Sequence, residues 1–241
     1  MKILCVSDFV DPMIYNPNVK EVFSDVDAVL CAGDLPIDYI DFIISVMNKP
    51  TFWIFGNHNL DAYKSFHGER SVFPQHMTGS ETKNYHGGTY AGFKVLRCPN
   101  LLIIDPKTGN QRPLLIAGVS GSRRYNKGLC QYTDKQMKFK LIQLIPQLIK
   151  NKLKYGTYLD IFLTHASPRH IHDHEDPCHM GFDCFNWFLQ KFKPSLMIHG
   201  HIHLYDMREE RIGKYYDTTV INAYSHVVVE FPLNEKPNIE S

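Results

Sequence analysis

The chain has 241 residues, of which 44% are hydrophobic and 21% are charged, and this is the composition of a folded globular protein. The length suits one large α/β domain, so we expect a single domain over residues 1–241. A formal net charge of +1 provides no strong field for nucleic acid or an anionic membrane, and we expect neither as a partner.

The cysteines and the N-terminus bear on location. None of the six cysteines forms a CxxC pair, which argues against a structural zinc ribbon. Asp8 and Asp11 interrupt the N-terminal apolar run too early for a signal peptide. No stretch approaches the roughly 20 apolar residues that a membrane helix needs. The sequence therefore predicts a cytoplasmic protein with reduced cysteines.

The first part of the chain alternates apolar, strand-like runs with helical ones. Strands are predicted over 2–6, 28–32 and 51–55, with helices over 18–24 and 36–47. Pro36 can open the second helix at its first turn. This strand-helix-strand order favours a parallel sheet.

The rest of the chain is less regular. We expect loops around short strands over 72–92, a turn at 106–110, and strands over 94–104, 114–118, 160–163 and 196–198. Helices are predicted over 133–154 and 182–192, and a β-rich tail over 218–231. Thr133 or Asp134 is the expected N-cap of the longer helix, and Pro146 is expected to kink it.

Five polar blocks follow predicted strands: Ser7-Asp8, Gly33-Asp34, Gly56-Asn57-His58, Thr164-His165 and Gly200-His201-Ile202-His203. In an open α/β sheet, residues at the carboxyl ends of parallel strands gather at one edge. Their Asp, Asn and His side chains suffice for two adjacent divalent metals. Two ions about 3.5–4 Å apart can acidify a water and neutralise phosphoryl charge. The pattern therefore predicts a phosphoester hydrolase.

Individual blocks also have ordinary structural explanations. A strand that ends in Gly-Asp is common, and Asn57-His58 suits a turn. Gly33 lets the backbone approach closely, which suits Asp34 to bridge two metals. His201 and His203 alternate along a segment that we expect to be extended, which would place both on one face, for one metal or for two.

The block order D…GD…GNH…H…GHxH resembles the calcineurin-like metallophosphoesterase superfamily over residues 2–222. The resemblance implies an α/β fold, a four-layer α/β/β/α sandwich of two mixed sheets, with a dinuclear metal centre. The implied ligands are Asp8 and His203 for the first metal, Asn57, His165 and His201 for the second, and Asp34 as the bridge. His58 would lie beside the scissile bond and stabilise charge or protonate the leaving oxygen; alternatively it only orients its neighbours.

One position departs from the family pattern. Asp-x-His reads Asp8-Phe9-Val10 here, so the first metal loses an imidazole. Asp11 can supply a carboxylate instead, which would favour Mn²⁺ or Mg²⁺ over Zn²⁺; alternatively, Asp11-Pro12 starts a turn. We expect two divalent ions, Mn²⁺ before Fe, Zn or Mg.

Two further segments are expected near a small phosphomonoester or phosphodiester substrate. Residues 164–185 resemble a loop of a bacterial branch of the superfamily, and His179 can face the site. Arg123 and Arg124 follow a strand end and can bind phosphate, although surface arginines in a tight loop would look the same.

Two other functions remain open. A non-catalytic scaffold is favoured by Val10 and opposed by the retained His58. A nuclease needs a basic track for the backbone, but the lysines over 135–154 alternate with Leu and Ile as a solvated face does. The pattern favours the small-substrate enzyme.

Overall fold

The structure is a computed structural model and describes residues 1–67, 84–85, 87–105, 109–206, 209–233 and 239–240. Its helices are α1 (Val19–Val22), α2 (Ile37–Met47), α3 (Tyr63–Phe66), α4 (Asp134–Tyr155) and α5 (Asp183–Phe192). Its strands are β1 (Lys2–Ser7), β2 (Ala28–Cys31), β3 (Thr51–Trp53), β4 (Asn84–Tyr85), β5 (Gly88–Tyr90), β6 (Lys94–Ile104), β7 (Gln111–Val119), β8 (Ser122–Arg123), β9 (Gln131–Tyr132), β10 (Ile161–Thr164), β11 (Leu196–His199), β12 (Ile212–Tyr215), β13 (Thr218–Asn222), β14 (Ser225–Glu230) and β15 (Ile239–Glu240).

Two large sheets organise these elements. The first has the order β15-β14-β1-β2-β3-β5-β4 and the second β12-β13-β11-β10-β7-β6, while β8 and β9 form a separate pair. Strands β1, β2 and β3 run parallel, whereas β14 runs antiparallel to β1. In the second sheet β7, β10, β11 and β13 run parallel, and β6 and β12 are antiparallel edges. The sheets are therefore mixed, not purely parallel.

Three apolar cores hold four layers together. The central core joins the inner faces of the two sheets and includes Ile3 and Leu30 from the first and Ile116 and Ile198 from the second. A second core packs α1 and α2 against the outer face of the first sheet. A third packs α4 and α5 against the outer face of the second sheet. This confirms the predicted four-layer α/β/β/α sandwich.

The longest helix shows how local sequence sets an element boundary. Thr133, and not Asp134, is the N-cap of α4: its hydroxyl accepts the Gln136 N–H, while the Gln136 side chain accepts the Thr133 N–H. This reciprocal capping box satisfies two N–H groups at the start of the helix. The helix then continues through Pro146 to Tyr155.

Several elements differ from their predicted form. The predicted helix over 18–24 shrinks to the four residues of α1, and β3 ends two residues early. Strands β8, β9 and β12 and helix α3 are too short to leave a periodic pattern. The predicted loop region 72–92 and turn 106–110 lie partly outside the described residues. No helix in the described part of the chain is long and apolar enough to cross a membrane.

Candidate metal centre

The five polar blocks meet where the parallel strands of both sheets end. Asp8, Asp34 and Asn57 follow strands of the first sheet, and His165 and His201 follow strands of the second. The blocks also bind the two sheets to each other. The His165 ring donates through Nδ1 to the Ala32 carbonyl at 2.9 Å, and the His201 N–H donates to Asp8 Oδ2 at 2.8 Å. The centre is therefore part of the contact between the sheets.

Three of the predicted ligands have a left-handed backbone. The φ angles are 64° at Asp8, 55° at Asp34 and 69° at His201. Such angles cost free energy in residues other than glycine, and they concentrate at functional sites where the surrounding structure enforces them. The turn at each of these strand ends is thus strained in order to aim a polar side chain.

Glycines beside the ligands allow the blocks to approach closely. A Cβ added at Gly56 would lie 2.0 Å from Asp34 Oδ1, and one added at Gly200 would lie 1.8 Å from Ser7 Oγ and 2.3 Å from Asp8 Oδ2. These separations are too short for any side chain. Residues 56 and 200 must therefore be glycine for the Asp34 and Asp8 carboxylates to occupy their positions.

Asp34, His165 and His201 form the centre of the cluster. One ligand atom from each lies within 4.8 Å of the others. Asp34 is buried, and its Oδ1 accepts the His58 N–H at 2.7 Å. Burial alone would raise the pKa of Asp34. The charge of the neighbouring His165, a hydrogen bond from its ring and the hydrogen bond from the His58 N–H together lower this pKa below its ordinary value. The carboxylate therefore stays ionised.

The hydrogen bonds of the two histidines fix which nitrogen is free. A carbonyl oxygen can only accept, so His165 carries its proton on Nδ1 towards Ala32, and His201 carries its proton on Nε2 towards the Cys178 carbonyl at 2.7 Å. In the neutral rings, the lone pairs are then on the His165 Nε2 and the His201 Nδ1. Fixing the tautomer through the other ring nitrogen is the usual way in which proteins orient a histidine ligand.

The geometry at Asp34 calls for a cation. The His165 Nε2 faces Asp34 Oδ2 at 3.2 Å, and two lone pairs at this distance repel each other unless a proton or a metal lies with them. Burial alone would lower the pKa of His165, but the Asp34 carboxylate raises it to about 9. A proton takes this place in the metal-free protein, and a divalent ion would have to displace it.

Two further acceptor atoms point to the same need. Asp8 Oδ1 and Asn57 Oδ1 are buried and have no hydrogen-bond partner among the described residues. Asn57 donates its Nδ2 to the Tyr125 hydroxyl at 3.3 Å, which leaves the amide oxygen free. Buried oxygen atoms that accept no hydrogen bond are rare, because such an atom loses its contacts with water and gains no other partner. Oxygen and imidazole donors of this kind fit a divalent metal.

His203 lies beside Asp8. Its Nε2 is 3.8 Å from Asp8 Oδ1, and its Nδ1 is 2.7 Å from the Tyr205 hydroxyl. The expected extended segment is wrong: the left-handed φ at His201 turns the chain, and the two rings have different neighbours. His201 meets His165 at 4.9 Å between centroids, and His203 meets Tyr224 at the same distance. The arrangement directs the two imidazoles to separate positions.

Val10 and Asp11 make their contacts with residues outside the cluster. Val10 packs against the core beneath α1 and α2. The Asp11 carboxylate accepts the Met13 N–H at 2.8 Å, and its Oδ2 lies 2.5 Å from both the Ser225 hydroxyl and the His226 Nδ1. Both oxygens of Asp11 are thus engaged by its own turn and by β14. These contacts favour the turn interpretation over a metal ligand.

His58 is exposed at the edge of the centre. Its backbone N–H is held by Asp34, which fixes the position of the residue. No hydrogen bond of its ring is found within the described part of the chain. The ring can therefore approach a substrate that binds beside Asp34.

Arg123, Arg124 and His179 were expected near the substrate. The two arginines make contacts with backbone carbonyls, and the His179 ring lies near that of His201. Arg123 donates to the Gly181 carbonyl at 3.0 Å and lies 3.7 Å from the Asp183 carboxylate. Arg124 is exposed and donates to the Gln131 carbonyl at 3.2 Å. His179 lies nearest the centre, with its ring centroid 5.6 Å from that of His201.

Neighbouring groups outside the predicted set of ligands complete the site. Ser7 donates to Asp8 Oδ2 at 2.5 Å, and the carbonyls of Ala32 and Cys178 orient two imidazoles. Backbone carbonyls carry no residue-type signal.

The family model for calcineurin-like phosphoesterases matches residues 1–205. The chain belongs to this family. Its members are metal-dependent hydrolases of phosphoesters, which agrees with the cluster of Asp34, His165 and His201. A comparison with curated proteins finds no match.

Solved structures share the fold with this phosphoesterase. One crystal structure matches at 13% identity, covering all of this chain and 98% of its own, with a TM-score of 0.64. The protein TT1561 of Thermus thermophilus matches at 13% identity and the same coverage, with a TM-score of 0.58. An archaeal phosphodiesterase matches at 13% identity, covering 100% of this chain and 99% of its own, with a TM-score of 0.48. At these identities the first two likenesses show the fold alone.

A pair of histidines, the buried His199 and the half-buried His172, lies next to the centre of this phosphoesterase. His199 is fully buried, and its Nδ1 donates to the Gly200 carbonyl at 2.9 Å, so its Nε2 accepts the His172 Nδ1–H at 2.8 Å. Burial lowers the pKa of His172 to about 4, partly opposed by Asp173, and lowers that of His199 further below its ordinary value. Both rings are therefore neutral in the folded protein at neutral pH.

The pair predicts a loss of stability in mild acid. Histidine in an unfolded chain titrates near pH 6.5. Below this pH the two histidines are protonated in the unfolded chain but stay neutral in the folded protein. The free energy of unfolding therefore falls as the pH falls. His172→Gln should reduce the loss of unfolding free energy between pH 7 and pH 5 by about 1 kcal/mol. Urea unfolding of metal-free protein at both pH values measures this. The exposed His170→Gln is the matched control, and an equal effect there would contradict the assignment.

Proposed function

We propose that the protein hydrolyses a small phosphomonoester or phosphodiester at a centre of two divalent metal ions, with Mn²⁺ preferred. One observation carries the proposal: Asp34, His165 and His201 present ligand atoms within 4.8 Å, with both imidazole tautomers set by backbone carbonyls. When bound, the ions would supply a water nucleophile at neutral pH and neutralise the phosphoryl charge.

The residues divide into holding and reacting groups. Asp8 and His203 would hold the first ion, Asn57, His165 and His201 the second, and Asp34 both. Asp34 also fixes the His58 backbone at 2.7 Å. The exposed His58 ring would then donate a proton to the leaving oxygen or stabilise its charge. Arg124 and His179 would contact the remaining part of the substrate, whereas Arg123 holds the turn before α5.

The test is metal-dependent turnover. Metal-stripped protein should regain hydrolysis of bis-p-nitrophenyl phosphate or p-nitrophenyl phosphate when Mn²⁺ is added, and should bind two ions per chain by calorimetry. The ratio of the two rates separates diesterase from monoesterase. His203→Ala should bind one ion fewer, because it removes a ligand of the first ion only. Absence of turnover with every divalent ion would overturn the proposal.

A non-catalytic scaffold is the second candidate, and Val10 is the observation that favours it. This side chain packs against the core, whereas the family resemblance implies an imidazole at this position, so the first ion would have fewer ligands. Binding of a single ion, together with absence of turnover, would favour the scaffold.

The six cysteines are free and five of them are buried, and we accordingly propose a cytoplasmic location.

A further inference from the structure

Aromatic side chains surround His203 on the open side of the metal centre. We define the aromatic ledge as Phe9, Tyr205 and Tyr224. The Tyr224 ring centroid lies 4.9 Å from that of His203, 6.2 Å from Tyr205 and 6.4 Å from Phe9. The Tyr205 ring also lies 5.6 Å from His203. Ligand and ledge therefore form one continuous surface.

The ledge is assembled from three separate parts of the chain. Phe9 follows β1, Tyr205 follows the last ligand, and Tyr224 lies between β13 and β14. The three rings come from distant segments, so their proximity is not the result of residue spacing within one amphipathic helix or strand. Their meeting point beside Asp8 and His203 is set by the same strand ends that build the centre.

Two of the rings remain largely in water. Phe9 is 46% exposed and Tyr205 is 82% exposed. An exposed aromatic face is apolar area that a ligand can cover, with a gain from stacking beyond that of burial. Tyr205 has a second contact, since its hydroxyl lies 2.7 Å from the His203 Nδ1. This contact fixes the ring beside the centre.

The chemistry of the ledge selects what can occupy it. Phe9, Tyr205 and Tyr224 carry no charge and offer no cation to pair with a second anionic group, so the ligand portion on the rings is neutral. A sugar or alkyl group has no π system and contacts a ring only through its C–H groups. A heteroaromatic base is neutral and planar, and every base has a π face that stacks on an aromatic side chain.

We propose that the aromatic ledge binds the base of a nucleotide whose phosphate lies at the metal centre. The inference rests on the proposed function and names its substrate class. The ledge gives the protein a preference for nucleotides over sugar phosphates and over simple alkyl phosphates. Loss of one stacking ring lowers affinity by roughly ten-fold.

Equilibrium binding tests the ledge without turnover. Calorimetry on the Mn²⁺-loaded His58→Ala protein compares adenosine 5′-monophosphate with ribose 5-phosphate, which lacks only the base. We expect the nucleotide to bind roughly ten-fold more tightly or better. Phe9→Ala and Tyr205→Ala, added to this background, should each weaken nucleotide binding by a similar factor and leave ribose 5-phosphate binding unchanged.

Two further variants separate the ring from its hydroxyl and from general exposure. Tyr205→Phe keeps the stacking face and should keep the preference for the nucleotide. Tyr216 is 68% exposed and lies between β12 and β13, at the end of the sheet opposite the centre, so Tyr216→Ala should change neither affinity. Equal metal content in all variants verifies that the centre is intact.

Either of two results would overturn the inference: equal affinity for the nucleotide and ribose 5-phosphate, or a nucleotide preference that survives the double variant Phe9→Ala with Tyr205→Ala. Failure of the proposed function reads differently. In that case the wild-type protein hydrolyses no phosphoester with any divalent ion, while the binding comparison still reports on the ledge.

Discussion

Replacing Asp34 by asparagine should lower phosphoester hydrolysis by on the order of 10³-fold or more, equivalent to about 4 kcal/mol of transition-state stabilisation. Asparagine keeps the shape of the side chain, and its amide oxygen can still accept the His58 N–H that Asp34 accepts at 2.7 Å. It removes the negative charge that faces His165 at 3.2 Å. A neutral amide cannot hold two divalent ions together. Steady-state kinetics and metal content measure both effects.

Asp11→Asn is the matched control for Asp34→Asn. Asp11 is also buried and lies three residues from Asp8, but its carboxylate contacts Ser225 and His226 of β14. Its replacement should lower the free energy of unfolding and leave the number of bound ions and kcat unchanged. A loss of one ion in Asp11→Asn would restore Asp11 as a metal ligand. Full activity in Asp34→Asn would exclude Asp34 from the centre.

Strand and helix patterns of four or more residues predicted most of the elements that build the layers, whereas the four-layer arrangement itself was implied by the family resemblance. The recurring strand-then-polar order indicated candidate metal-binding residues at the ends of β1, β2, β10 and β11, and the family resemblance implied the role of each. What remained hidden depends on backbone geometry. The left-handed φ of 69° at His201 interrupts the expected extended segment, and the two histidines of one motif meet different neighbours; residue spacing carries no information about such a turn.

Contacts between distant segments were the other hidden part. Asp11 binds to β14, more than two hundred residues along the chain, and this pairing removes it from the centre. The ledge likewise joins Phe9, Tyr205 and Tyr224, which have no common motif. A sequence pattern can identify ligand types at strand ends, but only the packing of the two sheets decides which neighbours share the site.

Replacing His58 by alanine should lower kcat by roughly 10²-fold while metal binding stays unchanged. The ring of His58 is exposed beside the centre, and its backbone N–H, which alanine keeps, makes the contact with Asp34. The variant therefore removes a reacting group without disturbing a ligand. Kinetics with p-nitrophenyl phosphate and phenyl phosphate, with calorimetric metal counts, measure the result.

The comparison of the two esters decides which role His58 has. Phenolate is a more basic leaving group than p-nitrophenolate, so its departure depends more on proton donation. If His58 is the general acid, His58→Ala should cost more with phenyl phosphate than with p-nitrophenyl phosphate. Equal losses would assign it to charge stabilisation, and His58→Gln, which retains a neutral donor, should then recover part of the rate. Unchanged kcat for both esters would leave His58 as a residue that only positions Asp34, because that contact uses a backbone N–H that every replacement except proline retains.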